Sequence, residues 1–396
     1  MKSPLNHLFK SFSALQVATS YHSGSLAPNS RFSALPLSSS TVHFHSCLRR
    51  YGTSTDTESS VTDRMGIEAI TETKRLASFY KEDNVKRHKP TVWTTPDEAA
   101  AFVRDEIDTV LFDCDGVLYR TLDQCPGAAK CIKGFLDQNK TVLFVTNNAG
   151  VNRKQLREKL ANVLQIDELK YEQMISSSYA AAQYLKHQLG DISNARVHVI
   201  GSSGLCDELA SNGFHLSGGP MESAPSGMTR AELAQYEFSE HPVDAVVVGH
   251  DTEMNFRKLC IAENLLMRNQ DALFVATNKD SFDLVGADGR HIAGNGCTVV
   301  ALEYATKRMA VNVGKPSPAL VALIKTDHPG CMENPSRCLF VGDRLDTDIR
   351  FGKDNGMKTL LVMTGVTTSK MMEMLGEGTE EEPLPDFIVP FVGLLI

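Results

Sequence analysis

From residue 108 onward the chain alternates short apolar runs with stretches of helical periodicity. "TVLFD" (109–113) precedes a helix expected over 127–138. "TVLFVTNN" (141–148) precedes one whose Leu156, Leu160, Val163 and Leu164 share a face, and "QMISSS" (173–178) one from Tyr179 to Leu189. A second series follows, "RVHVIGSSG", "DAVVVGHD" and "ALFVATNKD", with helical stretches near 204–212 and 255–268. After "NVGKPSPALVALIK" comes the last pair, "RCLFVGDRLDTDI" and "KTLLVMTG". Alternation of this kind predicts the α/β class: a doubly wound, Rossmann-like parallel sheet with helices on both faces. The middle series reads as a second α/β unit inserted into the first, giving a core of 95–194 and 309–396 around an insertion of 195–308. Upstream, "TTPDEAAAFV" (94–103) signals a helix start, with Thr95 as N-cap, Pro96 at the first helical position and Glu98 three residues after the cap. The folded body is expected to begin there, and 56–94, polar and mixed in charge, reads as a linker with a loose helix.

Charge divides the chain unevenly. Residues 1–55 hold five basic residues (Lys2, Lys10, Arg31, Arg49, Arg50) and no Asp or Glu. They are rich in Ser, and Leu5, Leu8, Phe9, Phe12 and Leu15 fall at helical spacing, the composition of an organellar transit peptide. "CLRRYGTST" (47–55) resembles a mitochondrial processing site with cleavage after Tyr51, so the mitochondrial matrix is the expected location and the plastid stroma the competing one. Taking those five from the 40 Lys and Arg leaves 35 against 48 acidic residues, a net charge of -13 on the rest of the chain. An acidic body argues against nucleic-acid binding, which needs a basic surface. No run of about 18 apolar residues occurs, so no membrane span is expected. The nine cysteines show neither a CxxC pair nor zinc-ligand spacing and read as reduced thiols.

Candidate chemistry gathers where predicted strands end, the edge at which open α/β sheets bind ligands. Asp113 and Asp115 close the first apolar run with only Cys114 between them, and Gly116 follows. Carboxylates so close repel and raise each other's pKa unless a cation or proton is shared there. Thr146 with Asn147, Lys315 in "GKP", and Asp343 with Asp348 in "GDRLDTD" complete the set. Singly, each has a bland counterpart as a strand exit, turn or helix cap. No GxxxxGK[ST], helix-opening GxGxxG or HExxH is present.

Taken in order, "FDCDGVL", "FVTNN", "VGKPSP" and "VGDRLDTDI" resemble the four motifs of the haloacid dehalogenase-like phosphatases, over roughly residues 105–370. The segment between the second and third motifs looks like the large α/β cap of the subgroup that contains p-nitrophenyl, pyridoxal and phosphoglycolate phosphatases. The resemblance implies a Rossmann-like hydrolase core with an inserted cap, and roles for the motif residues. Asp113 would be the nucleophile that forms an aspartyl phosphate, and Asp115 the general acid and base. Thr146, the Asn147 amide and Lys315 would hold the phosphoryl oxygens. Mg2+ would sit on Asp113, Asp343 and the backbone carbonyl of Asp115, with Asp348 behind them.

The cap segment "DGRHIAGNGCTVVALEYA" (288–305) is similar to that of phosphoglycolate phosphatases, whereas "SFDLVG" (281–286) departs from the proline-containing stretch that often stands there. The expected substrate is therefore a small phosphorylated metabolite, 2-phosphoglycolate first, with pyridoxal 5'-phosphate or broad monoester hydrolysis as the alternative. A non-catalytic phosphate-binding module is the reading from another class, and the presence of Asp115 counts against it. Asn278, Arg290 and His291 are candidates to meet the substrate's carboxylate. Relatives with this cap type imply a homodimer formed through the cap.

Overall fold

The computed structural model describes residues 61–81, 89–222, 229–238, 242–285, 290–376, 378–379 and 382–396. The expected transit peptide, 1–55, lies outside the described residues. The strands are β1 (Thr91–Val92), β2 (Thr109–Phe112), β3 (Tyr119–Arg120), β4 (Asp123–Gln124), β5 (Thr141–Thr146), β6 (Met174–Ser176), β7 (Arg196–Ile200) and β8 (His215–Gly218). They continue with β9 (Ala245–Val248), β10 (Leu273–Ala276), β11 (Phe282–Val285), β12 (Arg290–Ala293), β13 (Val311–Asn312), β14 (Cys338–Gly342), β15 (Lys358–Val362) and β16 (Phe387–Val389).

Seven of them form the core sheet in the order β1-β16-β15-β14-β2-β5-β6, and five form the sheet of the inserted unit in the order β13-β10-β9-β7-β8. All neighbours in both sheets run parallel. Both units are thus α/β, as the strand–helix alternation predicted. Along β2 the side chains alternate between two layers: Val110 and Phe112 enter one apolar cluster, Leu111 the other. That second cluster also takes in Val197, Val247 and Val275 of the inserted sheet, so core and cap share an apolar layer. Registers set the working edge. Phe112 lies opposite Val341 on one side and Phe144 on the other, so Asp113, Asp343 and Thr146 emerge within two residues of one row.

Two boundaries differ from expectation. Within 56–94 the expected loose helix is Val61–Lys81, and it is packed rather than loose, burying Met65, Ala69, Thr73, Leu76 and Tyr80. β1 then adds to the sheet edge beside β16, with Trp93 stacked on Phe387 at 4.3 Å between ring centroids. The polar residues that suggested a linker are its outward face. The cap also extends past 308, since Val311 pairs with Val275 in the inserted sheet. The helix Pro96–Glu106 starts where expected, although the Thr95 side chain makes no capping bond.

Candidate active site

The C-terminal edge of the core sheet faces the cap across a cavity of about 460 Å³. Asp113 continues β2 far enough for its N–H to donate to the Val341 carbonyl (2.9 Å), which fixes the backbone beneath its carboxylate. Lys315, 2% exposed, reaches in from the turn before the helix Pro318–Asp327. Its Nζ lies 2.5 Å from Asp113 Oδ1 and 2.8 Å from Asp348 Oδ1, and donates to the Val145 carbonyl at 2.9 Å. Asp348 stands on a π-helical turn, Leu345–Ile349, and its Oδ2 accepts from the N–H groups of Asp343 and Arg344, both at 3.0 Å. Asp343 Oδ2 accepts from Val366 N–H at 2.7 Å. Gly116, at φ 81°, and Gly365 close over this carboxylate; a Cβ on Gly365 would lie 1.8 Å from Asp343 Oδ2. The glycine after the second aspartate therefore serves a close approach to Asp343.

Ligating oxygens of Asp113, Asp343 and Asp348 lie within 4.8 Å of one another, all buried. Three carboxylates against one ammonium leave this floor short of positive charge. Burial raises Asp113 well above the usual carboxylate range, Lys315 opposing and Asp348 and Asp343 adding to the rise. Asp343 is pushed up to about 7 by burial and by Asp348. Burial works against the charge on Lys315, yet Asp113 and Asp348 hold its pKa above the ordinary lysine value. A crowded oxygen donor set with that deficit fits a hard divalent cation.

Asp115 stands apart from the cluster. Its side chain is 46% exposed, toward the cavity, with Tyr119 Oη at 3.3 Å, Asn148 Nδ2 at 3.5 Å and Lys159 Nζ at 3.9 Å. Burial within the cleft raises its pKa against the pull of Lys159, Asn148 and Tyr119. A carboxyl that keeps its proton more readily, two residues beyond Asp113, suits proton delivery. Thr146 lines the cavity; its Oγ1 accepts from Asn148 N–H (3.1 Å), which leaves its own proton to donate.

The remaining expected residues divide. The Asn147 side chain is taken up by two partners beside the cavity: Nδ2 donates to Asp280 (3.0 Å) and Oδ1 accepts from Lys315 N–H (2.7 Å). Asn278 lines the cavity, is 5% exposed, donates to the Asn147 carbonyl (2.8 Å) and accepts from Asp280 N–H (3.1 Å), so it also holds the cap strand to the core. His291 is stacked on Phe282 at 4.2 Å and is not among the cavity-lining residues, which corrects its candidacy. Arg290 does not line the cavity either, although the β11–β12 register puts it on the face of Asp283 and Ile292, which do. The glycine loop of "IAGNGC" is a helix start, Asn295–Thr306, whose Asn295 donates to the Val248 and Asn278 carbonyls.

Several site residues stand in the quoted motifs but are not among the candidates named from the sequence. His250, at the end of β9, and Asp283, on β11, meet at 3.3 Å in the cavity wall. The Asp283 hydrogen bond raises the His250 pKa, with burial opposing. Arg344 donates to the Phe282 carbonyl (2.9 Å) and pairs with Asp346 (3.0 Å), tying the fourth motif to the cap hairpin. Asp280 is pushed up to about 6 by burial, with Arg344, Lys315 and Asn147 opposing. Apart from Arg344 with Asp346, these contacts join residues 33 to 133 positions apart, which no local pattern encodes.

Residues 110–215 match the haloacid dehalogenase-like hydrolase family and residues 312–392 the HAD-hydrolase-like family. The chain is 37% identical over 281 residues to phosphoglycolate phosphatase 2 of Arabidopsis thaliana, covering 70% of this chain and 89% of the relative. It is also 37% identical over 295 residues to glycerol-3-phosphate phosphatase of Gallus gallus, covering 74% and 90%. Among solved structures, glycerol phosphate phosphatase from Mycobacterium tuberculosis in complex with magnesium superposes with a TM-score of 0.55 at 27% identity, over 74% of this chain and 77% of that one.

Proposed function

We propose, from the premise that this chain belongs to the haloacid dehalogenase-like hydrolases and is a phosphoric monoester hydrolase, that it is a Mg2+-dependent phosphatase of 2-phosphoglycolate acting through an aspartyl phosphate. The observation that carries the chemistry is Asp113 beneath the cavity, held by Lys315 and crowded by Asp343 and Asp348. An Asp113 oxygen attacks phosphorus as the bond to the leaving oxygen breaks, and Asp115 gives that oxygen its proton. Asp115 then takes a proton from water, whose oxygen displaces Asp113 and releases phosphate. Lys315, the Thr146 hydroxyl and the backbone N–H of Asn147 hold the equatorial oxygens; the Asn147 side chain, tied to Asp280, is unsuited to that role. Asp113, Asp343 and the Asp115 carbonyl would hold Mg2+, with Asp348 behind them, and the cation when bound supplies charge neutralisation at the phosphoryl oxygens. A structural relative solved with magnesium, and also with calcium, supports a divalent cation.

Support for the substrate comes from the roof. Among the described residues the cap lines the cavity with Ser202, His250, Thr252, Leu284, Val285 and Ile292 alongside the polar Asn278, Asp280 and Asp283, and His250 is the sole ring. Such a wall suits a short aliphatic phosphate better than pyridoxal 5'-phosphate, which favours aromatic stacking. Glycerol 3-phosphate is the second reading, supported by the Gallus relative of equal identity. The test is kcat/KM of the purified protein with Mg2+ on 2-phosphoglycolate, glycerol 3-phosphate, pyridoxal 5'-phosphate and p-nitrophenyl phosphate. A preference of tenfold or more for phosphoglycolate, about 1.4 kcal/mol of transition-state binding, is expected; a flat profile rejects the substrate, and no phosphate release from any ester rejects the chemistry.

Two further readings complete the proposal. Residues 1–55 direct the protein to the mitochondrial matrix, a plastid being the alternative, and imaging of a fluorescent fusion decides. A homodimer through the cap is supported by apolar side chains exposed there, Phe256 at 61%, Tyr304 at 77% and Met309 at 73%. Light scattering of wild type and Tyr304→Glu tests it, a wild-type monomer being the contrary result.

A further inference from the structure

The helix Val61–Lys81 lies outside both family matches, 110–215 and 312–392, and none of its residues lines the cavity. It nonetheless packs against the segments that carry the cation-site carboxylates. Ala69, Leu76 and Tyr80 share one apolar cluster with Leu345 and Ile349, the two ends of the π-helical turn that bears Asp348. Single π-turns interrupt regular helical hydrogen bonding and persist where their surroundings hold them. On the same face of the helix, Glu72 Oε2 accepts from Ser369 N–H at 2.6 Å. Ser369 is the first residue of the helix Ser369–Leu375, whose Glu373 accepts from Arg75 Nε and Nη2, at 2.5 and 2.6 Å.

The loop that enters this short helix also reaches Asp343. Val366 N–H donates to Asp343 Oδ2 at 2.7 Å, and Thr367 N–H to its carbonyl at 3.1 Å. Only Thr367 and Thr368 therefore separate the peptide held by Glu72 from the one that orients the Asp343 carboxylate. A carboxylate on a helix that donates nothing to the cavity fixes the loop that aims a candidate metal ligand. Supporting groups behind ligands govern metal affinity by orienting the ligands, and a path of consecutive bonded peptides is a physical route for that effect.

We propose that the helix Val61–Lys81 is a brace for the cation site, and that Glu72 is a positioning residue which sets divalent-cation affinity through Ser369 and the Val366–Thr367 loop. The inference rests on the Mg2+ reading of Asp113 and Asp343. Its test is calorimetric titration of the metal-free full-length protein with MgCl2, alongside the melting temperature in EDTA. Glu72→Ala removes the acceptor. Ser369→Pro removes the donor from the other side at a first helical position, where proline is tolerated, so a fold defect in one variant leaves the other to decide. Glu72→Gln keeps an acceptor oxygen. The expected result is a dissociation constant raised about fivefold to tenfold in Glu72→Ala and Ser369→Pro. Glu72→Gln should stay within about twofold of wild type, and kcat at saturating Mg2+ should be unchanged. Unchanged affinity in the two disrupting variants, with or without a lower melting temperature, overturns the brace as a determinant of the site and leaves it a structural helix. If the wild-type protein itself takes up no Mg2+, the cation reading fails first, which separates the two failures.

Discussion

Lys315→Met isolates the electrostatics of the site floor. Methionine fills nearly the same volume, so the change removes one positive charge, two ion pairs at 2.5 and 2.8 Å and a hydrogen bond to Val145, with little cavity. Asp113, Asp343 and Asp348 then face one another buried and unpaired. Removing one partner of a buried pair costs about 3–5 kcal/mol, so the metal-free variant should lose ~4 kcal/mol at pH 7.5. Burial and mutual repulsion already raise Asp113 and Asp343, the latter to about 7, and without the ammonium they rise further. The variant's folded state therefore binds roughly one proton more than wild type, while both unfolded chains remain ionised above about pH 4.5. Its deficit must shrink as pH falls, by about 1.4 kcal/mol per unit, to under ~2 kcal/mol at pH 5.5. Urea unfolding of both proteins in EDTA at the two pH values measures this. A deficit below about 1 kcal/mol at pH 7.5, or one that grows on acidification, refutes the reasoning.

Other perturbations probe separate parts of the account. His198, buried in β7 with its pKa lowered to about 4 by burial, must stay neutral in the fold. The unfolded chain takes up that proton below about pH 6.5, so wild type should lose up to ~3 kcal/mol relative to His198→Met between pH 6.5 and 4; parallel unfolding curves for the two proteins would contradict this. Asp283→Asn keeps an acceptor oxygen but removes the negative charge that raises the His250 pKa. KM for an anionic substrate should then rise several-fold at pH 7.5 and change little at pH 5.5, where His250 is charged without help, and a pH-independent effect would exclude this role. His291→Ala should leave kcat/KM within about twofold, because the ring stacks on Phe282 outside the cavity; a tenfold loss would return His291 to the substrate.

Where the sequence was legible, one segment carried both the element and the chemistry. Asp113 and Asp343 each follow an apolar run, and a run buried on both faces that ends in charge points to an edge where the sheet opens to a ligand. Asp113, Thr146 and Asp343 thus came to one edge as expected. Lys315 was legible as a candidate, but its two ion pairs depend on how the inserted cap returns the chain to the core. The direction of the Asn147 side chain was hidden, because its partner Asp280 arrives from the cap 133 residues later. A helix was legible before residue 94, but its packing was not, because Thr73 takes an inward position between Ala69 and Leu76, which weakens the apolar stripe. Val311–Asn312 is too short a strand to declare which sheet it joins, and its pairing with β10 is settled only by the packing of the cap.

The central claim is that Asp113 is the nucleophile of a phosphomonoester hydrolase, and Asp113→Asn tests it most directly. The substitution preserves shape and keeps an acceptor for Lys315, so the circular dichroism spectrum should be retained. With Mg2+ and saturating 2-phosphoglycolate, or whichever ester the wild type prefers, kcat should fall at least about a thousandfold, ~4 kcal/mol in activation free energy. A folded Asp113→Asn protein that releases phosphate within about tenfold of the wild-type rate would contradict the account, and the chemistry would have to be sought at another residue of the cavity.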